Sequence, residues 1–297
     1  MLKQLINAGP GTLAQAIALS LVHFNSVRHL YRANPATRLG QFRRHRPEML
    51  GLVVTPFVAA PWRAPERFRA VIDHCDAVDA LGWPLDVGDH EYRRLADLSD
   101  ISPGLRLEIS AQRWMAREGL LSLSLMEGDK LAFSLSFALG RTCDGLVAYI
   151  GGLQGGADED ALARARRLTK LAHGMRPRDL LIEAFRMLCR AYGVARILAV
   201  ADNIRVHRSA YLRARSADPV MMSYDAVWED RGGTLGPDGF FHLCPSMKRR
   251  AAEDIRPNKR SEYRRRYAML DALQAAIGQT LGKGADGDES AAQDCSV

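Results

Sequence analysis

The 297-residue sequence has no CxxC pair among its five cysteines, Cys75, Cys143, Cys189, Cys244 and Cys295, and an odd number cannot all pair within one molecule. This argues against a zinc ribbon or a disulfide framework and for reduced thiols in a cytosolic compartment. A long apolar run is also missing. No charge falls between Lys3 and Arg28, but Gly9-Pro10-Gly11 interrupts that stretch, and Gln15, Ser20 and His23 break up Leu13 to Phe24. A run of about twelve residues is too short to span a hydrocarbon layer about 30 Å thick. Asn25-Ser26-Val27-Arg28 stands where a secretory cleavage site would want small residues. The expectation is an amphipathic N-terminal helix, docked on the core or lying on a membrane surface. GxxxxGK[ST], HExxH, GxSxG and EF-hand spacings are absent, so the simplest nucleotide, zinc-protease, serine-hydrolase and calcium readings lose their support, and no metal ligands are nominated.

Acid is missing from the first part of the chain. Lys3, Arg28, Arg32, Arg38, Arg43, Arg44 and Arg46 precede the first carboxylate, Glu48. A second basic block, Lys248, Arg249, Arg250, Arg256, Lys259, Arg260, Arg264, Arg265 and Arg266, faces only Glu253, Asp254 and Glu262. The net charge of +7 is therefore concentrated at two places, and the remainder is net acidic. Such a field gathers anionic partners without choosing among phosphate, lipid headgroup, acidic protein and nucleic acid. Within the second block, Tyr263, Tyr267, Leu270, Leu273 or Gln274, and Ile277 recur at helical spacing while Arg264 and Arg265 point away. The tyrosines fall on the apolar stripe, which makes nucleic-acid stacking the weakest of the partner readings.

With 47% apolar residues, the chain can bury one large core or two small ones. Residues 1–104 read as a mostly helical, basic region packed on the core, with a helix from Pro65 to Leu81 stopped by Gly82 and an irregular connection from Trp83 to Gly104. Residues 105–282 read as a mixed-sheet domain ending in the basic helix, and 283–297 as a disordered tail. Leu105–Ser110, Leu121–Leu125 and Leu131–Leu139 alternate apolar with polar, each with one apolar face, and Glu127-Gly128-Asp129-Lys130 is hairpin chemistry. Leu146–Ile150 lacks alternation and suits a strand covered on both faces. Helices from Asp158 to Ala172 and from Pro177 to Tyr192 follow, then an apolar run over Arg196–Ala201 and a further strand at Phe240–Leu243. The fold class is α/β, or α+β with a mixed sheet: an antiparallel meander, then β-α-α-β, flanked by helices.

Four groups of residues could carry chemistry. Gly151 to Gly156, with Gln154, Gly155 and Gly156 at the exit of a buried strand, could cradle a phosphate or simply form a bulge and tight turn. His173 and Arg176 stand at a corner between helices, where a histidine caps a helix or joins a site. Asp202 and His207 follow a buried strand; if that strand runs parallel to Leu146–Ile150, Asp202 and His173 belong on the same sheet edge. Tyr224, Asp225 and Trp228 either line a pocket or anchor a long loop on the core. The candidate catalytic residues are thus His173, Asp202, His207 and Asp225; Gln154, Gly155, Gly156 and Arg176 are candidates for cofactor binding, and Arg260, Arg264, Arg265 and Arg266 for anion binding.

The order of Gly152-Leu153-Gln154-Gly155, His173-Gly174-Met175-Arg176-Pro177, Tyr224-Asp225 with Trp228 and Gly232-Gly233, Asp238-Gly239-Phe240-Phe241, and Lys259-Arg260 with Tyr263-Arg264-Arg265-Arg266-Tyr267 resembles the VirK/YbjX family over roughly residues 40–278. Cys244 departs from it, standing where Leu-Pro is expected. The resemblance implies a bacterial cytosolic protein, or one peripheral at the inner membrane, connected with virulence, surface-protein display and tolerance of envelope stress. It transfers no catalytic residue. The strand order is also similar to the acyl-CoA N-acyltransferase superfold, which implies acyl-CoA with its pyrophosphate at Gln154–Ala157, although Asp158, Glu159 and Asp160 oppose that charge. The rival is a non-enzymatic adaptor with basic faces toward a membrane or an acidic protein. A deep pocket at Gly151–Ala157 would favour the enzyme, and a filled sheet mouth beside a basic face the adaptor.

Overall fold

A computed structural model describes residues 10–46, 51–111, 115–213, 222–246 and 249–283. The proposed tail from 283 onward lies almost wholly outside the described residues. Among the described residues four α-helices come first: α1 (Pro10–Val22), α2 (Phe24–Arg32), α3 (Arg38–His45) and α4 (Ala64–Leu81). Pro65 sits in the first turn of α4, where its missing N–H costs nothing, and Gly82 stops the helix at φ 64°. The stretch Trp83–Gly104 was expected to be irregular; it contains β1 (Tyr92–Asp97), the edge strand of the sheet. Arg93 and Arg94 obscure the strand pattern there, and pairing with β2 overrides that local signal.

The sheet has eight strands in the order β1-β2-β3-β4-β5-β6-β8-β7. β2 (Leu105–Ser110), β3 (Leu121–Glu127), β4 (Lys130–Thr142) and β5 (Gly145–Gly155) continue the antiparallel meander from β1, and Gly128 takes φ 55° in the hairpin between β3 and β4. α5 (Ala161–Leu171) and α6 (Pro177–Ala191) then carry the chain to β6 (Arg196–Val200), which pairs parallel to β5 from Val147↔Arg196 to Ile150↔Ala199. The parallel partner follows from the long helical crossover. Past α7 (Ala210–Arg213) and α8 (Tyr224–Asp230), β7 (Thr234–Leu235) and β8 (Phe240–Leu243) complete the sheet, and α9 (Arg260–Lys283) closes the chain.

The strands of the meander do not have one apolar and one wet face. Ser122, Ser124, Ser134 and Ser136 are as buried as Leu123, Leu135 and Phe137. Phe137 meets Phe185 of α6 at 4.9 Å between ring centres, while Tyr149, on the opposite face, packs on Trp62, which leads into α4. Serine hydroxyls can turn to neighbouring polar atoms, as Ser124 and Ser134 do across the pair at 2.9 Å, so small polar residues tolerate this cover.

α9 docks through Leu270, Leu273 and Ile277, all fully buried, while Thr280 donates to the Leu95 carbonyl of β1. Tyr263 and Tyr267 are half-buried and stack edge to face, and Arg264 and Arg265 are exposed. Leu270→Ala is expected to lower unfolding free energy by about 2–5 kcal/mol in denaturant titration. The double change Arg264→Ala, Arg265→Ala should stay within about 0.5 kcal/mol of wild type, because neither side chain is buried.

Candidate functional site

β5 is longer than its parallel partner. Beyond Ile150 its backbone runs on through Gly151, Gly152 and Leu153 with no β6 residue opposite. Gly151 is the extra residue of a bulge, since Ser136 pairs with Gly152 and Phe137 with Ile150. A turn from Met115 to Leu120 lies across this bulge: a Cβ on Gly151 would come 2.0 Å from the Glu118 carbonyl, and one on Gly152 would come 2.0 Å from Glu118 Oε2. These two glycines therefore admit a neighbouring piece of the chain. The free edge at Leu153 is closed by Tyr224, whose hydroxyl accepts from Leu153 N–H at 2.7 Å and donates to Leu153 C=O at 2.8 Å.

The rest of the phosphate cradle is also taken. Gly155 packs on the Phe133 ring, and Gly156 lies beneath the Leu131 carbonyl and the Asp158–Arg164 pair. Gln154 is exposed. Arg164 hydrogen bonds and a nearby Lys130 hold the Asp158 carboxyl down to about 2, so it stays ionised at the start of α5. A pyrophosphate at Gln154–Ala157 would meet that carboxylate and Asp160; the residues present do not fit the pyrophosphate of acyl-CoA.

Asp202 and Asp225 cap one another's turns. Asp202 Oδ1 accepts from Tyr224 N–H at 2.9 Å, Oδ2 accepts from the Ser223 hydroxyl at 2.8 Å, and Asp225 Oδ1 accepts from Asp202 N–H at 2.7 Å. Trp228, fully buried, donates from Nε1 to the Val200 carbonyl. Tyr224 and Trp228 thus anchor the loop on the core. His173 ends α5 in the left-handed region (φ 52°), with Gly174 N–H donating to Thr169 C=O, and His207 is half-buried beside Val206.

One open cleft of about 520 Å³ gathers residues from several of these places. Gly174, Arg176 and Arg178 at the start of α6 form one side, Ser223, Asp230 and Arg231 from α8 the other, and Arg266 of α9 the third. Arg266 is fixed by donating from Nε and Nη2 to the His173 carbonyl and lies over the Tyr263 ring. Arg178 pairs with Asp179 and Arg231 with Asp230, whereas Arg176 is exposed and makes no ion pair among the described residues. His173, through Gly174, and Asp202, through Ser223, flank the same cleft at the C-terminal ends of β5 and β6. Arg260 donates to the Ile255 carbonyl and, with exposed Arg264 and Arg265, is outside the cleft lining.

A family described as a protein of unknown function (DUF535) matches residues 14–279. The chain belongs to this VirK/YbjX family. It is 30% identical over 169 residues to the uncharacterized protein YbjX of Escherichia coli K12, a match covering 57% of this chain and 51% of YbjX, so about half of that relative's length is spanned. An uncharacterized Haemophilus influenzae protein is 28% identical over 236 residues, 77% of this chain and 75% of that protein. No solved structure matches.

Sequence reasoning missed two residues of this VirK/YbjX chain behind the cleft wall. Arg205 is 3% exposed and stacks 3.7 Å over the Tyr224 ring; its Nη1 donates to the Met222 carbonyl at 3.2 Å. Glu118, in the turn over the bulge, has its carboxyl pushed up to about 7 by burial, against the opposing pull of Arg205. An arginine set between Ile204 and Val206 straight after an apolar strand was the available signal for Arg205. Nothing local marks Glu118. The folded protein keeps the Glu118 proton up to pH of about 7, whereas an unfolded chain releases it near 4.5. The associated stability is complete below the lower value and is lost as pH rises through the upper one. In thermal melts, Glu118→Gln should match wild type below pH 4.5 and melt higher than wild type above pH 7.

Proposed function

We propose that this protein is a non-enzymatic binder of phosphate-bearing ligands, acting through the arginine cleft at the C-terminal end of the β5–β6 pair. The convergence of Arg176, Arg178, Arg231 and Arg266 on one cleft carries the reading. Guanidinium groups match phosphate oxygens in a planar fork; Arg178, Arg231 and Arg266 are held by Asp179, Asp230 and Glu262, whereas Arg176 makes no ion pair among the described residues and is the cation left for a ligand. The filled strand exit, with Tyr224 on Leu153 and Glu118 on Gly152, favours this over acyl transfer. The resemblance supplies the setting: envelope homeostasis, stress tolerance or virulence, in the cytoplasm or at the inner face of the membrane.

A peripheral location has support of its own. Ile17, Leu21, Val22, Phe24 and Tyr31 of α1 and α2 are exposed, with Arg28 and Arg32 alongside. Apolar side chains beside arginines suit the boundary of an anionic bilayer. Among the described residues no helix is long and apolar enough to cross a membrane.

Equilibrium dialysis with glycerol 3-phosphate and flotation with phosphatidylglycerol vesicles separate a soluble phosphoester from a lipid headgroup. Arg176→Ala should weaken whichever association exists about tenfold at low salt, with the difference shrinking as ionic strength rises. Wild-type protein that binds neither probe removes the proposal. Coenzyme A binding that survives Arg176→Ala but is lost in Gly155→Val would return the phosphate to the glycine exit.

A further inference from the structure

Arg205 presents an unusual surplus. Its Nη1 is engaged with Met222 and Asp202, and its flat face lies on Tyr224, yet Nε and Nη2, both buried, have no hydrogen-bond partner among the described residues. These two nitrogens form the edge of the guanidinium that grips an oxyanion with two parallel hydrogen bonds. A buried cationic donor left unused is costly, and native proteins rarely keep one without a role.

The Glu118 carboxyl is the second half of the arrangement. It feels the charge of Arg205 but forms no ion pair with it, and it rests on Gly152 with no hydrogen bond from any described residue. Tyr224 links the two: its ring carries Arg205, and its hydroxyl is bound at Leu153, next to the Gly152 on which Glu118 rests. The backbone holding them apart is firmly tied: Val58 N–H donates to the carbonyl of Arg117, Ala59 bridges Arg205, and Ala60 N–H donates to the carbonyl of Ile204. Val58 itself is held at φ 56°, a left-handed conformation that a β-branched side chain resists. Strain of this kind persists where surroundings over-determine it, and here it joins the segment bearing Glu118 to the segment bearing Arg205.

We infer that the free edge of Arg205 and the Glu118 carboxyl form a second ligand site, which takes the carboxylate or phosphate oxyanion of a small acid between them. The site is separate from the arginine cleft and does not depend on it, although Met222 touches both. Arg205 supplies two N–H donors to the oxyanion. Glu118 must be protonated to tolerate that negative charge, and its O–H then donates the third hydrogen bond. Above the pH at which Glu118 loses its proton, binding takes up one proton from solvent, which goes to the Glu118 carboxylate; no covalent bond changes. Among the described residues, the charged and titratable groups bearing on Glu118 are Arg205 and Tyr224, with Asp202 beyond Arg205.

The test uses the full chain with acetate and inorganic phosphate as separate probes, which distinguish the two oxyanions, read by thermal shift at constant ionic strength. At pH 6 at least one probe should raise the melting temperature saturably, and its apparent affinity should fall about tenfold per pH unit above 7. Glu118→Gln should keep the binding, because its amide can donate, but lose this pH dependence. Arg205→Met should abolish it. If Arg205→Met does not fold, Glu118→Gln still decides. A wild-type protein stabilised by neither probe, or a Glu118→Gln protein with the wild-type pH slope, overturns the inference.

Discussion

A strand that outruns its neighbour has backbone groups to satisfy, and the structure on this side of the sheet is arranged around that demand. β6 stops pairing with β5 at Ala199, so Leu153 would be left with an unpaired donor and acceptor in a buried place. The Tyr224 hydroxyl can serve both, because one oxygen both accepts and donates. Placing that oxygen fixes the start of α8, which Asp202 and Ser223 then cap, and offers the Tyr224 ring as the surface on which Arg205 lies. The bulge at Gly151 follows the same logic on the other side, where the turn carrying Glu118 covers the bare backbone.

The chain's positive charge is less available than its sequence suggests. Arg46 is buried, paired with Asp89 at 2.8 Å and donating to the Ala111 carbonyl. Arg164 clasps Asp158, Arg186 joins Glu183 to the Arg231 carbonyl, and Arg266 ties α9 to the end of α5. Guanidinium groups serve here as internal cross-links that satisfy carbonyls at turns and helix ends, a use for which their fixed fork suits them better than lysine. Cations left toward solvent, such as Arg176 at the cleft, Arg28 and Arg32 on α2, and Arg264 and Arg265 on α9, are therefore more informative about partners than the total.

The segment between Arg205 and the cleft has a physical consequence. Arg205 holds the Met222 carbonyl and the Tyr224 ring, while Met222 and Ser223 border the open cleft. A group that pulled on Arg205 from within would act on the carbonyl of Met222 and the ring of Tyr224, and so on the side of the cleft made by Ser223. Coupling between sites needs such a shared element rather than mere proximity.

Much of the architecture was legible because it rests on local periodicity. The alternation of Phe133, Leu135 and Phe137, the hairpin at Gly128, the stop at Gly82, and the apolar stripe ending in Leu270, Leu273 and Ile277 are short-range signals, and the elements formed where they predicted. The strand at Tyr92–Asp97 escaped because arginines mask an edge strand whose identity comes from its partner. The cleft residues were only partly visible: Arg176 stood out at its corner and Arg266 in its basic helix. Glu118 and Arg205 lie 87 positions apart, counted along the sequence, and no spacing rule relates them. Their sequence contexts specify a turn and a strand end; only the packing of the Val58 segment on both brings the two segments together, since the dielectric and the distance that govern charged groups are properties of the folded molecule.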